Sequence, residues 1–161
     1  MPSTLTGRWS IARRSLVGVL ALAMLGGAGA ILWKARQPSA AELWRQARTE
    51  MARNHWEQAL AVAEQALKVA TPSPNELVLA GTMALQSDRL DRAEELFAQI
   101  DDHQLGAAMA HQQAGSAWLA IGHVSQAERE YRRALHFDSA NLEARLALAE
   151  LLRLSGRYFD L

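Results

Sequence analysis

The sequence repeats with a period of 34 residues, and this period constrains the fold more than any other feature of the chain. Small residues recur at that spacing in two series, and turn-forming and large apolar residues recur in two more. The four series are Ala59, Ala93 and Ala127; Ala47, Gly81, Gly115 and Ala149; Asn54, Asp88, Gly122 and Gly156; and Trp56, Leu90, Val124 and Tyr158. A fixed period of this length indicates a stack of equivalent supersecondary units. Such stacks bind other molecules more often than they catalyse.

Each unit contains two stretches in which apolar side chains recur at helical spacing. In the third unit, Ala114 and Trp118 mark the first helix and Tyr131 the second. Gly122 stands between the two stretches, where a residue that tolerates positive φ favours a turn. Small residues let the paired helices approach closely, and we predict that the packing between them depends on Ala47, Ala59, Gly81, Ala93, Gly115, Ala127 and Ala134. The sequence therefore predicts an all-α fold.

The repeating unit resembles the tetratricopeptide repeat (TPR). The third unit matches the family pattern through Gly115, Trp118, Gly122, Ala127, Tyr131 and Ala134. The first matches through Leu43, Ala47, Trp56, Ala59 and Ala66, and the second through Leu77, Gly81, Leu90, Ala93 and Phe97. The resemblance implies an α-solenoid of about 3.5 helix-turn-helix repeats. They are expected at residues 40–73, 74–107 and 108–141, with a partial repeat at 142–161.

The second and third repeats depart from the family pattern. Leu105 and Ser139 stand where the family often has proline, which weakens the stop signals at those junctions. The polar segment 101–103 is expected to shorten the second helix of its repeat. His111 and Arg145 occupy a position of the first helix that is usually apolar, so packing there is expected to be imperfect.

The chain begins with a basic tail at residues 1–14, followed by 19 uncharged residues at 15–33 and a short linker at 34–39. A helix needs about 20 such residues to cross a bilayer. We therefore predict a single transmembrane signal anchor in the inner membrane of a bacterium. Arginines in the tail favour a cytoplasmic N-terminus, which would place the repeats outside the cytoplasm. The alternative is a secretory signal cleaved near Ala30, which would release a soluble secreted binder.

Composition and motifs argue against several classes of function. All 17 acidic residues lie from Glu42 onward, so the repeat region lacks the basic stripe that nucleic acids require. The chain has no cysteine, which removes disulfides and thiolate metal sites. The five histidines form no metal-binding motif, and no catalytic constellation is present. We expect no enzymatic activity, cofactor, metal or small-molecule substrate.

The resemblance implies a concave groove lined by the first helix of each repeat. The matching positions here are Trp44, Arg48, Asn75, Val78, Thr82, Gln86, Gln112 and Ser116. An aromatic ring, a cation, amides and hydroxyls suit an extended peptide or a partner helix. The lysine and asparagine set with which chaperone-binding members clamp a terminal carboxylate is absent. The sequence thus predicts a membrane-anchored scaffold that binds a protein or peptide.

The fourth unit supplies a second hypothesis for function. Its first helix, near residues 142–154, is expected to lack a paired second helix within the sequence. We expect from this that the chain continues, either with more repeats or with a catalytic domain for which the repeats position substrate proteins. The alternative is that this helix itself caps the stack, which its polar residues would suit, namely Glu143, Arg145, Glu150 and Arg153.

Overall fold

The structure is a computed structural model, and it describes residues 38–156. This part of the chain contains seven helices, and all of them lie within one compact unit that begins at Ser39. The helices are α1 (Ala40–Ala52), α2 (Trp56–Val69), α3 (Pro74–Gln86), α4 (Leu90–Phe97), α5 (Ala107–Ala120), α6 (Val124–Phe137) and α7 (Leu142–Leu154). The predicted tail, membrane span and most of the linker, at residues 1–37, lie outside the described residues. Within residues 38–156, no helix is long and apolar enough to cross a membrane.

The helices pack as successive pairs, so the described unit is an all-α solenoid. The strongest contacts join α1 with α2, α3 with α4, and α5 with α6. Each pair is joined to the next by contacts of α2 with α3 and of α3 with α5, and α7 packs on α6. Alanine fills much of the core, since Ala47, Ala59, Ala93, Ala127 and Ala134 are all completely buried.

Capping residues begin three of the first helices and recur at the repeat spacing. Ser39 accepts a hydrogen bond from the backbone N–H of Glu42, and the Glu42 carboxylate accepts one from the Ser39 N–H at 2.8 Å. Ser73 and Glu76 form the same capping box at the start of α3. Asn141 caps α7 through the backbone N–H of Ala144. These bonds satisfy backbone donors that a helix leaves unpaired at its N-terminus.

The turn after the first helix of each repeat contains one left-handed residue. Asn54, Asp88, Gly122 and Gly156 have φ of 62°, 58°, 82° and 74°. Asparagine, aspartate and glycine are the residues that adopt this region at least cost. The third periodic series in the sequence is therefore a series of turn residues, one after the first helix of each unit.

The paired helices approach each other most closely at two glycines. A Cβ atom added to Gly81 would lie 2.3 Å from the Phe97 ring, and one added to Gly115 would lie 2.8 Å from the Tyr131 ring. Carbon atoms do not pack at these distances. The aromatic ring thus occupies the volume that a side chain on the facing helix would need. In both repeats the glycine and the aromatic residue are 16 positions apart.

The junction between the second and third repeats is irregular. α4 has only eight residues and ends at Phe97, whereas α2 and α6 each have 14. This agrees with the shortening expected from the polar segment 101–103. α5 has no side-chain cap and begins after Gly106, whose φ is 90°. Leu105 is fully exposed in the connecting loop.

Two ion pairs connect the second helices of neighbouring repeats. Arg92 on α4 donates to Glu64 on α2 at 2.8 Å, and Arg129 on α6 donates to Glu94 on α4 at 2.8 Å. All four side chains are at least one-third exposed, so each pair contributes little to stability. The two ion pairs favour one register between the adjacent second helices.

The buried alanines give a direct test of the helix pairing. Replacing Ala127 by leucine adds three carbons to a completely buried position and should lower the free energy of unfolding by about 1–3 kcal/mol. Urea denaturation monitored by circular dichroism measures the change. The matched control is Ala120→Leu, because Ala120 is exposed at the end of α5. Equal stability of both variants would contradict the assigned packing.

Candidate functional site

Six of the eight residues predicted to line the groove have exposed surface. Four of them are exposed and two are partly exposed, and they lie on the first helices α1, α3 and α5. The exposed residues are Arg48, Asn75, Gln86 and Ser116, and the partly exposed residues are Thr82 and Gln112. Arg48, Thr82 and Ser116 follow one another at the repeat spacing. These six side chains are placed where they could contact a partner, and their role in binding stays a prediction.

Trp44 and Val78 are placed differently from the sequence expectation. Only 5% of Trp44 and 7% of Val78 is exposed, and both belong to the hydrophobic core. Side chains so covered add little contact area to a partner. Trp44 is therefore better described as a core residue of α1 than as an exposed aromatic anchor. The sequence could not reveal this, because its position in the repeat is shared with the partly exposed Gln112.

The hydroxyl groups in this set already have local partners. Thr82 donates to the carbonyl of Val78 at 2.8 Å, and Ser116 donates to the carbonyl of Gln112 at 3.1 Å. Both are bonds to the preceding helical turn. Arg48 forms no ion pair with any residue between 38 and 156. This guanidinium can donate hydrogen bonds to a carboxylate from outside the described residues.

The chemically most distinctive cluster is a buried histidine between two carboxylates. His111 on α5 is completely buried, and Glu130 on α6 is 1% exposed. The His111 Nδ1 lies 2.8 Å from Glu130 Oε2, and its Nε2 lies 2.9 Å from Oδ1 of Asp102 in the loop before α5. The Phe137 ring stacks on the imidazole with ring centres 6.2 Å apart. Arg129 and Arg133 approach Glu130 from the solvent side, at 3.5 and 3.7 Å.

The surroundings of His111 favour its charged form. Burial disfavours the imidazolium and lowers its pKa, but hydrogen bonds to Glu130 and Asp102 and the charges of these carboxylates raise it. Their effect is the larger, so the pKa of His111 is raised above its ordinary value. Ionised carboxylates only accept hydrogen bonds, so both ring nitrogens must donate. The charged imidazole thereby joins α5, α6 and the preceding loop.

The cluster contains the residue types that enzymes use as acid–base groups. Its imidazole, however, is not available to a ligand. Both ring nitrogens of His111 are engaged by carboxylates, so neither can take a proton from a ligand. In the preceding repeat, the equivalent positions hold the buried residues Leu77 and Leu96. A buried ionic pair therefore replaces an apolar pair at the same place, and its role is structural.

The position of His111 in the repeat predicted imperfect packing there, and the partners of His111 were not predicted from the sequence. The available signal was the spacing: His111 and Glu130 are 19 residues apart, as are Leu77 and Leu96. Two polar residues at a pair of positions that is apolar in the preceding repeat indicate mutual contact. Asp102 carried no such signal, because it lies in the irregular loop.

A surface cavity of about 570 Å³ lies beside this cluster and is lined in part by arginines of α6. All three lining arginines form ion pairs within the described residues, Arg129 with Glu94, Arg132 with Glu128, and Arg133 with Glu130. The positive charge is thus largely compensated. Between residues 38 and 156 no group of three or more histidine, aspartate or glutamate side chains is arranged to hold a metal ion.

Comparison with known proteins identifies the architecture. The structure matches "First TPR of Spaghetti (RPAP3) bound to HSP90 peptide SRMEEVD" with a TM-score of 0.56 and 16% sequence identity. The match covers 73% of this chain and 94% of the other. The fold is TPR-like. No family model matches the sequence, and no curated protein matches it. At this identity, the match to the TPR domain shows the fold alone.

The ionic pair predicts a specific dependence of stability on substitution. Replacing His111 by leucine alone leaves Glu130 buried without its partner and should lower the free energy of unfolding by about 3–5 kcal/mol. The double variant His111→Leu, Glu130→Leu copies Leu77 and Leu96 of the preceding repeat. Its stability should equal or exceed that of the wild type, because well-packed apolar residues avoid the desolvation of charges. Urea denaturation of the three proteins measures both differences.

The same proteins test the charge of His111. A raised pKa in the folded state gives stability that is fully present below the unfolded pKa of about 6.5. That stability is lost as pH rises through the folded pKa. The wild type should therefore lose stability relative to the double variant as pH rises above about 6.5, through the raised pKa of His111. A difference between the two proteins that stays constant with pH would contradict the charged imidazole.

Proposed function

We propose that this protein is a non-catalytic scaffold that binds a peptide or a segment of a partner protein along the first helices of its repeats. The observation that carries the proposal is the row of exposed polar side chains on α1, α3 and α5. Arg48, Thr82 and Ser116 stand at one repeat position, and Gln112 shares another with the two buried residues Trp44 and Val78. A rigid row of this kind can contact successive parts of one extended ligand.

The TPR-like fold supports the same function. The solved TPR domain with this fold is bound to a peptide, the HSP90 peptide SRMEEVD. Our proposal takes from that domain only the mode of binding, a peptide held by a preformed helical repeat surface. The groove positions of this chain with exposed surface supply one cation on α1 and five uncharged amides or hydroxyls on α3 and α5, Asn75 among them. They suit a ligand with one carboxylate among polar groups.

The ligand is expected to place its carboxylate against Arg48. Among the six groove residues with exposed surface, Arg48 is the only ionised side chain. A charge-assisted hydrogen bond to a carboxylate is about twice as strong as a neutral one. The amides of Asn75, Gln86 and Gln112 can donate to and accept from the backbone of an extended chain. The affinity is then the sum of several modest contacts, and the surface does not have to reorder when the ligand binds.

The proposal includes a membrane anchor at residues 15–33, with the repeats on the extracytoplasmic side of a bacterial inner membrane. It is supported by the 19 uncharged residues of that segment and the basic residues on both sides of it. An anchor holds the scaffold at the bilayer and raises the local concentration of partners in the same membrane.

The test is crosslinking of partner proteins in native membranes. Arg48→Ala combined with Gln86→Ala removes the cation and one amide from exposed positions, so the variant should fold as the wild type does. We expect a discrete protein crosslinked by the wild type and lost from the variant. The matched control is Arg89→Ala with Gln99→Ala, two exposed residues outside the predicted groove. Fractionation with carbonate extraction in the same cells reports whether the protein is retained in the membrane.

Each part of the proposal can fail separately. Equal crosslinking by the wild type and the Arg48 variant would place the binding surface elsewhere on the protein. Release of the chain by carbonate would contradict the anchor and leave the groove intact. A mature protein that begins at Ile31 would show a cleaved signal instead of an anchor.

A further inference from the structure

A polar pocket lies where the turn between α1 and α2 meets the end of α3. Its volume is about 390 Å³, and its lining comes from two repeats. The lining includes Asn54, His55, Trp56, Glu57 and Gln58 of the first repeat and Gln86 of the second. Gln86 is also one of the predicted groove residues, so the pocket adjoins the surface of the proposed function. We call it the Trp56 pocket.

Two of the lining residues are particular to this junction between repeats. Trp56 corresponds to Leu90 at the 34-residue spacing, and Gln86 corresponds to Ala120. The helix pairing therefore does not require an indole or an amide at these places. Trp56 is partly exposed. An indole with exposed surface, at a position where the fold accepts leucine, is available to a ligand.

The lining presents hydrogen-bond acceptors that no described residue uses. Glu57 is exposed and forms no ion pair with any residue between 38 and 156. Over the same range, the side-chain amides of Asn54, Gln58 and Gln86 form no hydrogen bond. An ionised carboxylate only accepts hydrogen bonds, and each amide has one oxygen that accepts them.

His55 adds a further acceptor to the pocket. Its Nδ1 lies 2.8 Å from Glu50 Oε2. Since an ionised carboxylate cannot donate, the proton of this bond belongs to Nδ1, and the Nε2 of the neutral imidazole is an acceptor. Arg53 also donates to Glu50, at 3.1 Å, so the charge of Glu50 is balanced within the turn. The carboxylate of Glu57 therefore gives the pocket its charge.

We propose that the Trp56 pocket binds an arginine side chain of the partner, with the guanidinium stacked on the Trp56 ring and paired with the Glu57 carboxylate. This arginine is part of the same ligand whose carboxylate meets Arg48, so the inference rests on the proposed function. A guanidinium has five N–H donors and no acceptor, which matches a lining of acceptors. Its planar and weakly hydrated cation stacks on indole, the ring that attracts cations most strongly. Lysine carries a compact point charge and matches the flat ring less well.

The basic residues of the chain itself are poorer occupants. Lys34 and Arg36 precede α1, whereas the pocket lies beyond the other end of this helix, whose 13 residues span about 20 Å. A fully extended backbone between Ser39 and Lys34 spans at most about 18 Å and would have to run straight back along α1. The arginines of residues 1–14 lie on the other side of the bilayer in the proposed topology. A partner on the side of the repeats has neither restriction.

A small arginine compound tests the pocket without the rest of the ligand. Nα-acetyl-L-arginine amide is titrated into the full chain in detergent micelles, and heteronuclear NMR follows the indole N–H of Trp56 and the side-chain amides of Gln58 and Gln86. We expect saturable shifts of all three signals. The neutral isostere Nα-acetyl-L-citrulline amide should leave the signals unchanged. The corresponding lysine compound should bind at least threefold more weakly than the arginine compound.

Variants of the full chain locate the contacts. Trp56→Leu copies Leu90 of the next repeat, so it should fold normally and lose the shifts of the side-chain amides. Glu57→Gln should weaken binding of the arginine compound at least fivefold, because it removes the charge that pairs with the guanidinium. The matched control is Asp91→Asn, which removes the acid at the same position of the next repeat, in the first turn of α4. This control should bind the arginine compound as the wild type does.

The outcomes that overturn the proposal are distinct. Absence of saturable shifts at tens of millimolar arginine compound excludes the site. Equal shifts with the citrulline compound mean that the pocket binds a neutral polar group. Equal weakening by Glu57→Gln and Asp91→Asn assigns the effect to the loss of acidic charge in general. Tighter binding after Lys34→Ser combined with Arg36→Ser shows that the chain's own linker, and not a partner, occupies the pocket.

The pocket and the groove can fail separately. Arg48→Ala should leave the affinity for the arginine compound unchanged, because Arg48 does not line the pocket. In the crosslinking experiment, Glu57→Gln should reduce capture of the protein that the Arg48 variant loses, whereas Asp91→Asn should not. Undiminished capture by Glu57→Gln would mean that the partner in the groove places no arginine in the pocket.

Discussion

The close approach of paired helices at glycine and alanine is the constraint on which the rest of the structure depends. Gly81 and Gly115 leave room for the rings of Phe97 and Tyr131, and completely buried alanines fill the remaining core. The helices of each pair therefore touch nearly at the backbone and form one closely packed block. The blocks stack in register, which aligns Arg48, Thr82 and Ser116 along successive first helices. The candidate binding surfaces follow from this stacking.

Periodicity in the sequence was sufficient to predict the helices and the turns between them. The residues Asn54, Asp88 and Gly122 all have positive φ, as a turn series at this spacing requires. The exposure of individual side chains could not be predicted in the same way. Trp44 shares its repeat position with Gln112, yet one is buried and the other is partly exposed. Repeat position fixes the direction of a side chain, but its neighbours decide how much of it remains accessible.

The pair of His111 and Glu130 shows a second feature that the sequence did not predict, a contact between two polar side chains in the core. His111 at a usually apolar position suggested a packing defect, and the structure instead shows hydrogen bonds on both sides of the imidazole. Such a pair contributes little net stability compared with a pair of leucines. Its hydrogen bonds, however, strongly favour one arrangement of the two helices. It stands at the junction where α4 is short and α5 lacks a side-chain cap. The directional hydrogen bonds of His111 at this junction compensate for the short α4 and for the missing side-chain cap of α5.

Among the seven helices between residues 38 and 156, the strong contacts join helices that are close neighbours along the chain. No element has to wait for a distant one, so folding can start at any pair and spread outward in either direction. The same independence has an evolutionary meaning. A whole 34-residue block can be gained or lost by recombination without disturbing the blocks that remain, and the length of the binding surface changes with it. Selection can thus fit such a protein to a longer or shorter partner in single steps.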